Sequence, residues 1–197
     1  MSTCSSNRTK EATPLKNKEY PNINKCDDID LIESISSLIE DTIKRNLAKK
    51  NYSKRSIFFS EEAKSPDISI LNYIYYIYCY LNLEFSSIVL SLISIYRLLE
   101  RTKDHLSKNN FYKLFITSCL LNSKLNEEPY YDYEFYALAG KIEKSELILL
   151  EKEYFEMIDY KLFVNDEVYQ RYYDFIKNKA FKNRAIKTNR KCIPKGI

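Results

Sequence analysis

Residues 107–126 read SKNNFYKLFITSCLLNSKLN, and this stretch sets the fold class. Ser107 is a good helix N-cap, because its hydroxyl can accept from an otherwise unpaired amide of the first turn. The residues behind it are apolar nearly all round: Phe111, Leu114, Phe115, Ile116, Cys119, Leu120, Leu121 and Leu125. A helix apolar on every side is surrounded by others, so this one is expected at the hub of a helical bundle. Lys124 stands in its last turn, where packing alone does not call for a charge.

The helical period continues outward from this hub. Pro66-Asp67 opens the unit, and Ile70, Tyr73, Ile74, Ile77 and Tyr80 or Leu81 predict a helix over 68–81. A second is expected over 86–101, capped by Ser86 or Ser87. Beyond the hub, 131–139 reads as a short helix ended by Gly140, which suits a left-handed C-cap. Leu147, Leu150, Tyr154 and Ile158 share one face of a helix over 144–157, and Glu151 interrupts their row. Val168, Tyr172 and Phe175 predict a further helix over 166–177. In front of the unit, Ile32, Ile35, Ile39, Ile43 and Leu47 recur at helical spacing behind Asp27 or Asp28 as cap. The expected fold is all-α, with no second copy of the pattern that would mark a repeat protein.

Composition agrees. Two glycines and five prolines in 197 residues leave little material for hairpins, sandwich turns or phosphate-cradling loops. The length suits one domain with a single core and tails. Residues 1–27 are polar and unpatterned, with Pro14 and Pro21, and read as a mobile arm. Residues 51–65 read as a polar connection around an apolar anchor, Ile57-Phe58-Phe59. After Ile176 come Lys177, Lys179, Lys182, Arg184, Lys187, Arg190, Lys191 and Lys195, and no acid. Without those eight the formal charge of +4 becomes −4, so the body is mildly acidic and a poor surface for nucleic acid. Residues 179–197 therefore read as a basic tail with almost nothing apolar to dock. It is either a solvated end or a nuclear-import or phosphate-binding segment.

Ile68–Leu99 carries few charges, but Asn72, Asn82, Glu84 and Arg97 divide it into halves shorter than the roughly 20 residues a membrane span needs. Two buried helices are expected there, and no membrane partner. The five cysteines, Cys4, Cys26, Cys79, Cys119 and Cys192, have no metal-ligand spacing, and His105 is the one histidine. No metal site is expected. Cys79 and Cys119 read as core thiols, in a reducing intracellular compartment, cytoplasm or nucleus. Glu127-Glu128 and the Glu151/Glu153 pair read as solvated helix faces, and no Ser/His/Asp or Cys/His arrangement can be built. The expectation is no catalytic residue, no cofactor and no small-molecule substrate.

Several words of the chain resemble, in order and at nearly the same spacing, the single-box cyclins of the P-type or U-type (phosphate-regulation) group. Pro66-Asp67-Ile68-Ser69-Ile70 is similar to that family's box opening, and Ser94-Ile95-Tyr96-Arg97-Leu98 to its "YIDRL" word. Asn110-Phe111-Tyr112-Lys113-Leu114 and Asn122-Ser123-Lys124-Leu125 resemble the two ends of its third helix. Tyr130-Tyr131, Tyr136-Ala137 and Gly140 follow as in the family, then Glu146-Leu147, Leu150-Glu151 and Ile158-Asp159-Tyr160-Lys161-Leu162. The series covers about half of the chain. It departs at Tyr96, where the family has aspartate, at Tyr112-Lys113, and at Lys141, where the family has a second glycine.

The resemblance implies a five-helix cyclin box over 66–178, including a C-terminal helical extension, behind an added N-terminal helix at 28–50. It implies a non-catalytic regulatory subunit whose partner is a cyclin-dependent kinase, activated when the box repositions the kinase's mobile catalytic-domain helix. Lys124 and Glu151 match the polar pair that hydrogen-bonds the kinase, and Leu125, Phe155, Tyr160 and Leu162 match the apolar contacts. Read without the resemblance, Lys124 could complement the helix C-terminus and Glu151 could be solvated beside Lys144 and Lys152, while Phe155 and Tyr160 could be core. Lys124 and Glu151 are each expected exposed. The other reading of the box is a non-kinase helical adaptor for a transcription or scaffold protein.

Overall fold

In the computed structural model, which describes residues 26–47, 56–60, 66–128 and 131–191, seven helices and no sheet are found among the described residues. They are α1 (Cys26–Leu47), α2 (Ile70–Tyr80), α3 (Phe85–Thr102), α4 (Lys108–Asn126), α5 (Tyr133–Gly140), α6 (Lys144–Met157) and α7 (Asp166–Lys191). The apolar helix α4 is indeed the hub: it packs on α3, α5 and α6, and its Phe111, Leu114, Phe115, Ile116, Cys119, Leu120 and Leu121 are buried. α1 and α7 pack on one another and close the bundle, α1 against α2 and α7 against α3. Phe58, from the anchor expected in the connection, is buried and meets Tyr154 edge-on at 5.9 Å, while Ile57 stays exposed. The arm expected over 1–27 lies outside the described residues up to position 25, and so does most of the connection at 51–65. No helix of the described residues is long and apolar enough to cross a membrane.

Local chemistry sets the helix ends. Ser69 caps α2, its hydroxyl accepting from the Asn72 amide at 3.1 Å. α3 starts at Phe85, so Ser86 and Ser87 lie inside its first turn and are not the caps; the extended backbone of Glu84 takes that position. Ser107 caps α4, and the Asn110 side chain reaches back to accept from the Ser107 amide at 2.9 Å. Asp132 caps α5 by accepting from the Phe135 amide at 2.9 Å. Asp27 and Asp28 fall inside α1, which begins at Cys26, and so are not its caps.

The hub is less uniformly apolar than its sequence. Ser94 of α3, Ser118 and Asn122 of α4 and Tyr154 of α6 are buried together. Asn122 donates to Ser94 at 3.2 Å and to the Ser118 carbonyl at 2.9 Å, and the Tyr154 hydroxyl donates to Ser94 at 3.2 Å. A buried polar group costs free energy unless it is paired. This net holds three helices in one register, because sliding any of them would leave hydroxyls and an amide without partners. Around it the Cys119 thiol is fully buried, and burial pushes its pKa up to about 12, as expected of a core cysteine. Cys79 is only partly buried.

Two positions at the α5 end differ from expectation. Gly140 is not the left-handed cap: it is the last helical residue, and Lys141 takes the cap with φ 53°. A Cβ on Gly140 would lie 3.0 Å from Ile116 Cγ1, so the close approach of α5 to α4 favours glycine there, and any larger residue would have to displace the Ile116 side chain. Where the P- and U-type pattern has two glycines, the first answers to packing and the second to the backbone. Here the second is a lysine held where a Cβ is disfavoured. Lys141→Gly is accordingly expected to stabilise the chain by about 1 kcal/mol, read as a higher urea midpoint at unchanged slope. An unchanged or lower midpoint would count against strain at this cap.

α7 also differs from expectation. Its apolar pattern ends near Lys177, yet the helix runs to Lys191, so the first residues of the expected solvated tail are helical and docked. Ala180 is buried, Lys179 pairs with Asp41 at 3.1 Å, Asn183 approaches Ser34 at 3.5 Å, and Arg184 pairs with Asp30. The reason is electrostatic. Asp30 and Asp41 of α1 lie opposite Arg184 and Lys179 of α7, where the two helices pack. Tyr96 of α3, one of the departures from the family pattern, bonds Thr42 of α1 at 3.3 Å.

Candidate partner-binding site

Lys124 and Glu151 come from the last turn of α4 and the middle of α6, which pack together. Leu147, Leu150 and Tyr154 turn α6 inward, and Glu151 sits at the edge of that buried face, 8% exposed. The two side chains are not exposed, contrary to the expectation from sequence. Lys124 Nζ donates to Glu151 Oε1 at 2.7 Å, with side-chain exposures of 23% and 11%. The nearby core requires this pairing: a carboxylate placed so close to it is costly unless a cation and hydrogen bonds compensate.

A third residue completes the group. Tyr133, in the first turn of α5, donates its hydroxyl to Glu151 Oε2. Its ring lies beneath the ammonium, with Lys124 Nζ 3.8 Å from the centroid, a cation–π contact. Burial, and then the bond to Glu151, raise the Tyr133 pKa, so the phenol stays protonated and a donor at neutral pH. Sequence reasoning does not single out Tyr133. Its one signal is its place directly after the Asp132 cap, which puts it in the first turn of a helix that packs on both α4 and α6.

The apolar candidates divide. Leu125 is 60% and Tyr160 70% exposed, Phe155 is partly buried, and Leu162 at 4% exposure is a core residue and not a surface contact. Phe155 and Tyr160 stack with centroids 5.9 Å apart and planes 17° from parallel. Tyr160 is held out by an uncommon backbone: Asp159 and Tyr160 both have φ 56°. A bulky aromatic in this left-handed region is strained. The Tyr160 amide donates to the Phe155 carbonyl at 2.9 Å, and the Asp159 carboxylate pairs with Lys161 at 2.8 Å and Arg101 at 3.5 Å. Lys161 first, then Arg101, holds the Asp159 carboxyl below its ordinary pKa. On α6, half-exposed Ile148 shares the face of Glu151 and Phe155 by helical spacing. The result is an exposed apolar surface with a preformed ion pair in it, which suits docking against another protein's helix. Among the described residues no group of three or more His, Cys, Asp or Glu side chains is placed to hold a metal.

A family model described as Cyclin matches residues 4–162. The chain is 30% identical over 147 residues to Cyclin-U2-1 of Arabidopsis thaliana, an alignment covering 72% of this chain and 65% of the relative. It is 27% identical over 157 residues to Cyclin-U1-1 of Arabidopsis thaliana, covering 77% and 74%. To Cyclin-P3-1 of Oryza sativa subsp. japonica it is 26% identical over 158 residues, covering 79% and 64%. The chain thus spans about two thirds of the length of these relatives.

Proposed function

The chain belongs to the cyclin family, in its P- and U-type group, and we propose that it binds and activates a cyclin-dependent protein serine/threonine kinase. The docking surface runs from Lys124 and Leu125 at the end of α4 to Glu151 and Phe155 on α6 and Tyr160 behind it. The observation that carries this reading is the partly buried Lys124–Glu151 pair, with exposed Leu125 next to Lys124 in the chain and exposed Tyr160 stacked on Phe155, one helical turn beyond Glu151. Leu125 and Tyr160 stay mostly exposed despite that stacking. Seated here, the kinase's mobile helix would carry its glutamate to the ATP-holding lysine, and the cyclin would supply position without chemistry.

The test is co-purification with each cyclin-dependent kinase of the same organism, followed by phosphorylation of a serine/threonine peptide. One kinase is expected to bind in a one-to-one complex and to gain activity at least tenfold over kinase alone, equivalent to about 1.4 kcal/mol of shifted equilibrium. Failure to bind every such kinase would overturn the proposal. Capture of a transcription or scaffold protein in place of a kinase would favour the adaptor reading.

A further inference from the structure

Tyr133 belongs to none of the contacts so far proposed for the partner, yet it touches both charged residues of the pair. We infer that Tyr133 is the positioning residue of this docking surface, fixing Glu151 through its hydroxyl and Lys124 through its ring before any partner arrives; the inference rests on the docking role proposed for that pair.

The geometry makes the division of labour specific. Glu151 has one oxygen on Lys124 and the other on Tyr133, so its carboxylate plane is defined by two different helices. Lys124 has one N–H on Glu151 and its ammonium lies against the Tyr133 ring at 3.8 Å. An ammonium has three donors, of which Glu151 takes one, and 23% of the side chain is still open to solvent. A free lysine is among the side chains that lose most rotamer freedom when ordered. A lysine ordered in advance loses less on binding, which strengthens association without adding a contact. Tyr133 is itself anchored: it is the first residue of α5, directly behind the Asp132 cap, whose carboxylate accepts from the Phe135 amide at 2.9 Å.

The hydroxyl and the ring can be removed separately. Tyr133→Phe keeps the ring under Lys124 and deletes the bond to Glu151; Tyr133→Leu deletes both. The probe is the cyclin-dependent kinase that binds the unaltered full chain most tightly, titrated by calorimetry. Tyr133→Phe is expected to weaken binding about 3- to 10-fold and Tyr133→Leu about 10- to 30-fold. The deciding readout is the same pair of changes in a Lys124→Met, Glu151→Met background, which offers Tyr133 neither an acceptor nor a cation, at kinase concentrations raised until the weakened complex is measurable. A residue acting through the pair has nothing left to position there, so both changes should then alter binding by less than about twofold. If either keeps its full effect in that background, or if both bind like the unaltered chain, the positioning role is overturned.

Should the unaltered chain bind no kinase, the docking proposal falls, and the clamp is judged on the free chain. Urea unfolding of Tyr133→Phe, Glu151→Met and the double variant is then expected to be non-additive, because each single change breaks the same Tyr133–Glu151 bond. Additive losses would overturn the clamp itself.

Discussion

Glu151→Ala is expected to lower the melting temperature of the free chain by about 5–10 °C and to abolish measurable kinase binding at micromolar concentrations. The stability loss comes from the groups left without a partner. Lys124 would remain three-quarters covered with no carboxylate, and the Tyr133 hydroxyl would lose its acceptor. Breaking a buried pair by removing one partner costs more than the pair contributes, and for a partly open pair the figure is about 2–3 kcal/mol. The binding loss adds about 2–5 kcal/mol, the usual effect of leaving a partner's desolvated polar group unpaired. Differential scanning calorimetry of the free chain and titration against the kinase separate the two. Glu151→Gln keeps one accepting oxygen and the shape of the side chain, so it should recover most of the stability and less of the binding. A variant that melts like the unaltered chain would show that the ion pair is not formed in solution. A destabilised variant that still binds normally would remove Glu151 from the interface.

Removing residues 179–197 is expected to destabilise the chain by on the order of 2 kcal/mol, about 4–8 °C in melting temperature, with the loss concentrated in α1. Sequence alone argues for the opposite outcome, since this segment has few apolar residues. The structure makes it half of a helix–helix contact. Truncation uncovers Leu31 and deletes buried Ala180, and it leaves Ile176 near a fraying end. Lys179–Asp41 and Arg184–Asp30 are solvent-accessible pairs whose individual worth is small, but they act in parallel along one junction. Their share is screened by salt, so the stability difference between full and truncated chains should shrink as ionic strength rises toward 1 M. Hydrogen exchange should report faster opening of α1 amides in the truncated chain, with α4 unchanged. Equal melting of the two chains would return residues 179–197 to the status of a solvated tail.

The helices and their hub are legible in the amino-acid order. The helical period is a local property, so Ile70, Tyr73, Ile74 and Ile77 mark α2, and the all-round apolar run from Phe111 to Leu121 marks α4 as central, with no knowledge of neighbours. The ordered words around Lys124 and Glu151 likewise reveal the family. Where polar groups meet is not legible in that order. Ser94, the Ser118–Asn122 pair and Tyr154 are polar groups in three separate helices until α3, α4 and α6 pack. Glu151 reads as solvated until α5 brings Tyr133, and α4 brings Lys124, to either side of it. Gly140 reads as a backbone residue until Ile116 is found 3.0 Å from where its Cβ would be. The basic end of α7 reads as a tail until acidic α1 lies beside it. In each case the deciding energy is a pairwise term between residues distant in the chain: a hydrogen bond, an ion pair or a close contact. Such terms depend on three-dimensional separation, which is set only when the helices pack.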